Sequence, residues 1–340
     1  MRRHHVVVTH LVDSEVLQLL GERCQVSANS TRGSWPRHEV LRMTQSADAL
    51  LAFMPDIVNA EFLGACPRLK VVAAALKGYD NFDVSAMTER GIWFTVVPDL
   101  LTEPTAELAV ALLLGLTRRI LEGDDFVRSG EFRGWRPELY GAGLHERAVG
   151  IIGMGAVGRA VARRLAGFDM EVHYYDHRRL NKFDEIHLGL TYLPLDHLLS
   201  LSDFVILCAP LAAGNFHLLN QRAIAALKPG SYLVNVGRGS VVDEQAVGEA
   251  LDSGRLAGYA ADVFEMEDAQ RVNRPDSIPK TLLENRSKTL FTPHLGSAVA
   301  DVRRKIELRA ALNILQALAG ETPCDAVNRP QRMREISPTL

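Results

Sequence analysis

The chain has 340 residues, enough for two domains that each bury a core of their own. An apolar share of 47%, a charged share of 23% and a net charge of -3 describe an ordinary globular protein with no basic face for nucleic acid. No apolar run reaches the roughly 18 residues of a membrane span, and Cys24, Cys66, Cys208 and Cys324 stand singly, without the CxxC spacing of a zinc site or a disulfide framework.

The opening MRRHHVVVTHLVDSE has neither the apolar length nor the cleavage site of a signal peptide, so a cytoplasmic location is expected. His4 and His5 are adjacent on a strand, point to opposite faces and do not share an ion; no metal is expected. Short apolar strands (HVVVTH near Val7, ALLAFM near Ala52, LKVVAAAL near Val72) alternate with helical stretches such as DSEVLQLLGERC, which opens on an Asp or Ser cap. This reads as a small parallel α/β domain. TEPTAELAVALLLGLTRRI then reads as a long helix starting near Thr102, with Pro104 in its first turn, Glu103 and Glu107 at its positive end, and Arg118 and Arg119 at its close.

From Ala148 a second series begins: AVGIIGM, a helix, MEVHYYD, a helix over 194–201, SDFVILCAP, a helix near Gln221, SYLVNVG, a helix near Glu244, and GRLAGYAADVF. Alternation of that length predicts a doubly wound sheet. After a polar stretch near Asn273 come TLFTPHLGS and a last helix, VRRKIELRAALNILQALAG, expected to return to the first domain; the tail after Ala326 reads as loosely ordered. The fold class is therefore α/β, two Rossmann-like doubly wound domains: a flavodoxin-like substrate domain and a dinucleotide-binding one.

Gly153, Gly155 and Gly158 form GxGxxG between an apolar strand and an amphipathic helix, the context this motif requires. The first glycine permits the tight turn, the second lets backbone approach a pyrophosphate, the third lets helix pack on strand. Ala156 and Val157 open the helix whose N-terminus faces the phosphates. The next strand ends in Asp176, where a carboxylate accepts the ribose hydroxyls and repels a 2'-phosphate. NAD is the expected cofactor, with some NADP use left open by Arg178 and Arg179 just beyond.

Three polar segments follow strands of the second series, at the carboxyl edge where open α/β sheets bind ligands: NVGRGSVVDE with Arg238, AADVFEMED with Asp262 and Glu267, and FTPHLGSA with His294. Hydride transfer involving a small anion needs a cation, a base, and a carboxylate that orients the base. Arg238, His294 and Glu267 fill these roles.

The order GMGAVG, NVGRGSVVDE, DVFEME and TPHLGS resembles the D-2-hydroxyacid dehydrogenase superfamily over nearly the whole chain. Within it, AFMPD, ALKGYDNFDV, VPDLLTEPTAEL, VRSGEFRGW and GYAADVFEMED resemble the phosphite-oxidising branch most. The resemblance implies a homodimer. It also implies a nucleotide domain inserted in the middle of the chain, with boundaries at 1–99 and 297–340 for the substrate domain and 100–296 for the inserted one. It makes His294 the base, Glu267 its partner and Arg238 the anion clamp, and adds Pro210, Asp262 and His294 to the cofactor contacts. Lys77, just before Gly78, stands where ordinary hydroxyacid enzymes carry a small or apolar residue. A second cation there suits a dianion such as phosphite. Met54, Gly78, Trp135, Tyr140, Ser297 and Arg303 are implied to line or gate the pocket, Trp135 and Tyr140 as contributions from the partner subunit. Asp268 stands where many of these enzymes have Pro, as in the phosphite branch.

The activity expected is NAD-dependent oxidation of phosphite to phosphate with water as nucleophile. Two alternatives stay open: a hydroxyacid dehydrogenase of the glyoxylate or hydroxypyruvate reductase type, and a non-catalytic NAD-sensing scaffold.

Overall fold

The computed structural model describes residues 2–269 and 271–330. The chain divides into two units, one formed by Met1–Leu101 with Ala298–Leu340 and one by Thr102–Ser297. The sequence reading put these breaks at 99/100 and 296/297.

The first unit begins with β1 (His4–Val8), α1 (Ser14–Gly21), β2 (Cys24–Ala28), α2 (Arg37–Thr44), β3 (Ala49–Ala52), α3 (Ala60–Ala65), β4 (Val71–Ala74), α4 (Val84–Glu89) and β5 (Trp93–Thr95). Its five strands run parallel in the order β2-β1-β3-β4-β5, the flavodoxin-like order. Val6, Val7 and Val8, and likewise Leu50 and Leu51, are buried on both faces, which is why these strands read as unbroken apolar runs. Asp13 caps α1 by accepting from Glu15 N–H.

The second unit opens with α5 (Thr102–Thr117) and α6 (Ile120–Arg128). The long helix expected to close on Arg118 and Arg119 stops earlier. Arg119 takes the left-handed conformation, φ 52°, and its guanidinium pairs with Glu122 at 2.7 Å in the first turn of the separate α6. There follow β6 (Ala148–Ile152), α7 (Ala156–Leu165), β7 (Glu171–Tyr175), α8 (Lys182–Leu188), β8 (Leu190–Tyr192), α9 (Leu195–Leu201), β9 (Phe204–Leu207), α10 (Gln221–Ala226), β10 (Ser231–Asn235), α11 (Glu244–Asp252), β11 (Leu256–Ala261), α12 (Lys280–Glu284) and β12 (Thr289–Phe291). The sheet is wholly parallel, ordered β12-β11-β10-β9-β6-β7-β8. Strand order reverses between β6 and β9, so the crevice beyond their carboxyl ends is the expected ligand position.

The last helix, α13 (Ala300–Leu318), packs on α1, β3 and β4 of the first unit through Ile306, Ala310, Ala311 and Ile314. The tail departs from expectation at its start: Ala326 bridges to Thr95, Val327 N–H donates to Phe94 O at 2.9 Å, and Asn328 Oδ1 accepts from Phe94 N–H at 2.8 Å. The rest of that expectation, from Gln331 onward, lies outside the described residues. Among the described residues no helix is long and apolar enough to cross a membrane, and no three His, Cys, Asp or Glu converge in a metal-holding group.

Candidate active site

The second unit fixes His294 from below. At the end of β11 Asp262 is buried, and its carboxylate accepts from Thr292 Oγ1 and Leu295 N–H, each at 2.6 Å, and from Gly296 N–H at 2.8 Å. Asp262, expected among the cofactor contacts, thus spends its carboxylate on the loop that carries the base. Burial raises its pKa against those bonds. His294 itself takes φ 56°, a left-handed conformation costly for a side chain and stabilised here by backbone bonds to Asp262 O and Thr292 O.

Glu267 sits in a short 3-10 turn, Glu265–Glu267. Its Oε1 accepts from Phe264 N–H at 2.7 Å, and its Oε2 lies 2.7 Å from His294 Nδ1. A carboxylate only accepts, so Nδ1 carries the hydrogen and Nε2 presents a lone pair. Arg238 caps another 3-10 turn, Gly239–Val241, with Nη1 donating to Gly237 O at 3.1 Å. The two turns are clamped together. A Cβ at Gly239 would collide with the backbone of Phe264 and Glu265, Ser240 N–H donates to Asp268 at 2.9 Å, and Glu265 N–H donates to Glu244 at 2.8 Å. Asp268, the departure from the usual Pro, therefore ties the Arg238 turn to the Glu267 turn. Glu244 was missed by sequence reading. Its buried carboxylate has one oxygen without a hydrogen-bond partner among the described residues, and burial pushes it up to about 7, with Glu265, Glu267 and Asp268 adding repulsion.

The glycine turn after β6 fits a dinucleotide pyrophosphate. Gly153 has φ 93° and packs against Ala209, and a Cβ at Gly158 would collide with Gly153 O. Nothing lies within 4 Å of where a Gly155 Cβ would be, and no side chain caps α7 there, which leaves room for a phosphate at this helix N-terminus. At the end of β7, Asp176 Oδ2 accepts from Met154 N–H at 2.8 Å and Oδ1 from Arg178 N–H at 3.0 Å. Both arginines are exposed, and Arg179 donates to both oxygens of Glu185, at 2.8 and 3.0 Å. Of the two arginines that leave NADP use open, Arg179 is already ion-paired. Pro210, exposed at the end of the β9 loop, accepts from Asn215 Nδ2 at 2.7 Å.

In the first unit, polar residues again gather beyond the carboxyl ends of strands. Asp56 accepts from Phe53 N–H at 2.7 Å and Thr9 Oγ1 at 2.6 Å, and the His10 ring lies 5.1 Å from that of Phe53. Arg303, from α13, donates to Ala75 O at 3.3 Å, lies 5.7 Å over the Phe53 ring and pairs with Glu307 at 3.5 Å. Lys77 and Gly78 follow β4 by three and four positions and are half-buried. Burial lowers the pKa of the Lys77 ammonium, which Asp99 opposes. Met54, half-buried, accepts from Asn81 Nδ2 at 2.8 Å through its carbonyl. His10, Phe53 and Asp56 escaped sequence reading, although VVVTH ending at a strand's carboxyl edge was the available signal. Trp135 and Tyr140 stand on the irregular segment after α6, 82% and 69% exposed, and Ser297 is half-buried at the close of the second unit.

The NAD-binding domain of the D-isomer specific 2-hydroxyacid dehydrogenases matches residues 110–296. The chain belongs to this family. Over 333 residues it is 37% identical to the glyoxylate reductase of Thermofilum pendens, covering 97% of this chain and 96% of that protein. It is 36% identical over 329 residues to the glyoxylate reductase of Pyrococcus furiosus, covering 95% of each. Among solved structures, the NADPH-dependent glyoxylate/hydroxypyruvate reductase of Sinorhizobium meliloti, in complex with NADP and malonate, superposes with TM-score 0.83 at 29% identity. It covers 98% of this chain and 99% of that one. As a family member the protein is an NAD(P)-dependent dehydrogenase acting on a small molecule.

Proposed function

We propose that this dehydrogenase oxidises phosphite to phosphate with NAD as acceptor. The observation that carries the reading is Lys77, a half-buried ammonium in the segment ALKGYDNFDV. A carboxylate is a monoanion served by one bidentate cation, whereas a phosphite dianion takes a second. A dianion offsets both charges. Bound NAD supplies a hydride acceptor at the nicotinamide. In the proposed step the P–H bond breaks with its electron pair leaving as hydride, a P–O bond forms to water, and the water proton passes to His294 Nε2. Glu267 holds the imidazole in the tautomer able to take it and stabilises the cation that results. By resemblance, the cations Lys77 and Arg238 are assigned to phosphite, and Met54, Gly78, Ser297 and Arg303 to its lining. Trp135 and Tyr140, exposed on one chain, act in this reading from the partner subunit of a homodimer.

The relatives favour a second reading, reduction of glyoxylate or hydroxypyruvate, because both curated proteins named above are glyoxylate reductases. On comparison alone that reading stands ahead. Identity near 36% supports the fold and NAD(P)-dependent dehydrogenation, however, while the substrate is set by the few side chains that face it. His294 would then return a proton to the carbonyl oxygen. One assay separates the two. Purified protein is supplied with NAD and phosphite, then with NADH or NADPH and glyoxylate or hydroxypyruvate. NADH formation with phosphite supports the first, keto-acid turnover without it supports the second, and turnover of neither supports the scaffold.

A further inference from the structure

The turn between β7 and α8 carries more charge than a ribose site requires. Asp176 ends the strand, with His177 Nδ1 2.8 Å from its Oδ1, and Arg178 and Arg179 follow at once. Two arginines next to the ribose-facing carboxylate form the usual chemistry for a 2'-phosphate, and yet the two have different fates here. Arg178 is exposed and, among the described residues, donates its backbone N–H to Asp176. Arg179, also exposed, has its Nε and Nη2 each bonded to a different oxygen of Glu185 on α8 and its guanidinium 5.2 Å over the Tyr192 ring.

The carboxylate that holds it is itself fixed. Glu185 is 8% exposed, and its Oε1 also accepts from Tyr174 OH at 2.8 Å. That hydroxyl in turn accepts from Leu180 N–H at 2.9 Å, inside the same turn. The Arg179 and Tyr174 bonds pull the Glu185 pKa down to about 2, so the carboxylate stays charged throughout the neutral range. A phosphate seeking the same Nε and Nη2 edge of Arg179 must compete with a carboxylate that is already anchored.

We propose that Glu185 is a specificity-determining residue for the cofactor: by pairing with the Nε and Nη2 edge of Arg179 it competes with a 2'-phosphate for that cation and biases the enzyme toward NAD. Arg178 stays exposed, so weak NADP binding is expected to persist. The inference rests on Asp176 facing the adenosine ribose, as the cofactor assignment has it.

The test is direct binding of NADH and NADPH to the full-length protein, followed by nucleotide fluorescence, so that substrate identity does not enter. Glu185→Gln keeps an acceptor for Tyr174 and removes the charge. It should tighten NADPH about two- to fivefold, the range an exposed ion pair is worth, with NADH unmoved. Adding Arg179→Ala to Glu185→Gln should abolish the gain. Arg179→Ala alone leaves the Glu185–Tyr174 bond in place and should change neither affinity. An unaltered NADPH to NADH ratio in Glu185→Gln, or a several-fold loss of NADPH affinity in Arg179→Ala alone, overturns the proposal. If the unaltered chain binds no NADH, the cofactor assignment itself falls and this inference with it.

Discussion

Glu267 holds His294 with one carboxylate oxygen and its own backbone turn with the other, each bond 2.7 Å long. The imidazole orientation is therefore set by a group that is itself immobilised at both ends. His294→Ala should lose about 10² to 10⁴ in turnover, the worth of general-base help, while still binding NADH. Turnover near that of the unaltered enzyme would remove His294 from this role. Glu267→Gln should cost less and move the pH profile of kcat/KM, because the neutral amide keeps the contact and loses the charge.

For Lys77→Ala the expected change is a raised KM for phosphite, since a ground-state ion contact is lost, with a smaller fall in kcat. Steady-state kinetics at saturating NAD make the measurement. A raised KM for NAD with phosphite unaffected would place Lys77 elsewhere.

Asp176 bonds to the glycine turn through Met154 N–H as well as to its own loop. Asp176→Asn keeps an acceptor for these bonds and removes the repulsion of a 2'-phosphate, so NADP should gain on NAD in kcat/KM without loss of stability. An unchanged ratio would free Asp176 from cofactor selection.

Glu244 ionises near 7 in the folded chain against an ordinary 4.5. Below about 4.5 it is neutral folded and unfolded, and its burial costs nothing on this account. Between the two values the unfolded chain releases a proton that the folded chain keeps, so stability falls as pH rises; above 7 the whole penalty, on the order of 3 kcal/mol, is present. Glu244→Gln should consequently raise the denaturation midpoint at pH 8 and change it little at pH 4. An equal shift at both would refute the linkage.

Strands buried on both faces, such as β1, β3, β4 and β9, were legible because their residues form short unbroken apolar runs. β2 and β8 lie at sheet edges and carry polar residues among the apolar ones, CQVSA and LTY, which leaves no period to read; β5 is only three residues long. The break at Arg119 was hidden because both flanks are helical and nothing between them is Gly or Pro. In the site, His294, Glu267 and Arg238 follow strand ends and were found. Glu244, Glu307 and Asp56 were not, since each acts through a contact with a distant segment, and sequence spacing holds no record of such contacts.

The first unit draws on both ends of the chain: Glu307 of α13 accepts from Asp13 N–H at 3.0 Å, and Asn328 accepts from Phe94 N–H at 2.8 Å. During synthesis the middle unit emerges whole and contiguous and is able to fold first. On the face that α1 partly covers, β3, β4 and β5 must wait uncovered until the ribosome has delivered α13, some two hundred residues later. Truncation before Ala300 should therefore leave a folded nucleotide-binding middle joined to an aggregation-prone N-terminal segment, and the slowest phase of refolding should report the docking of α13, the longest loop closure in the molecule.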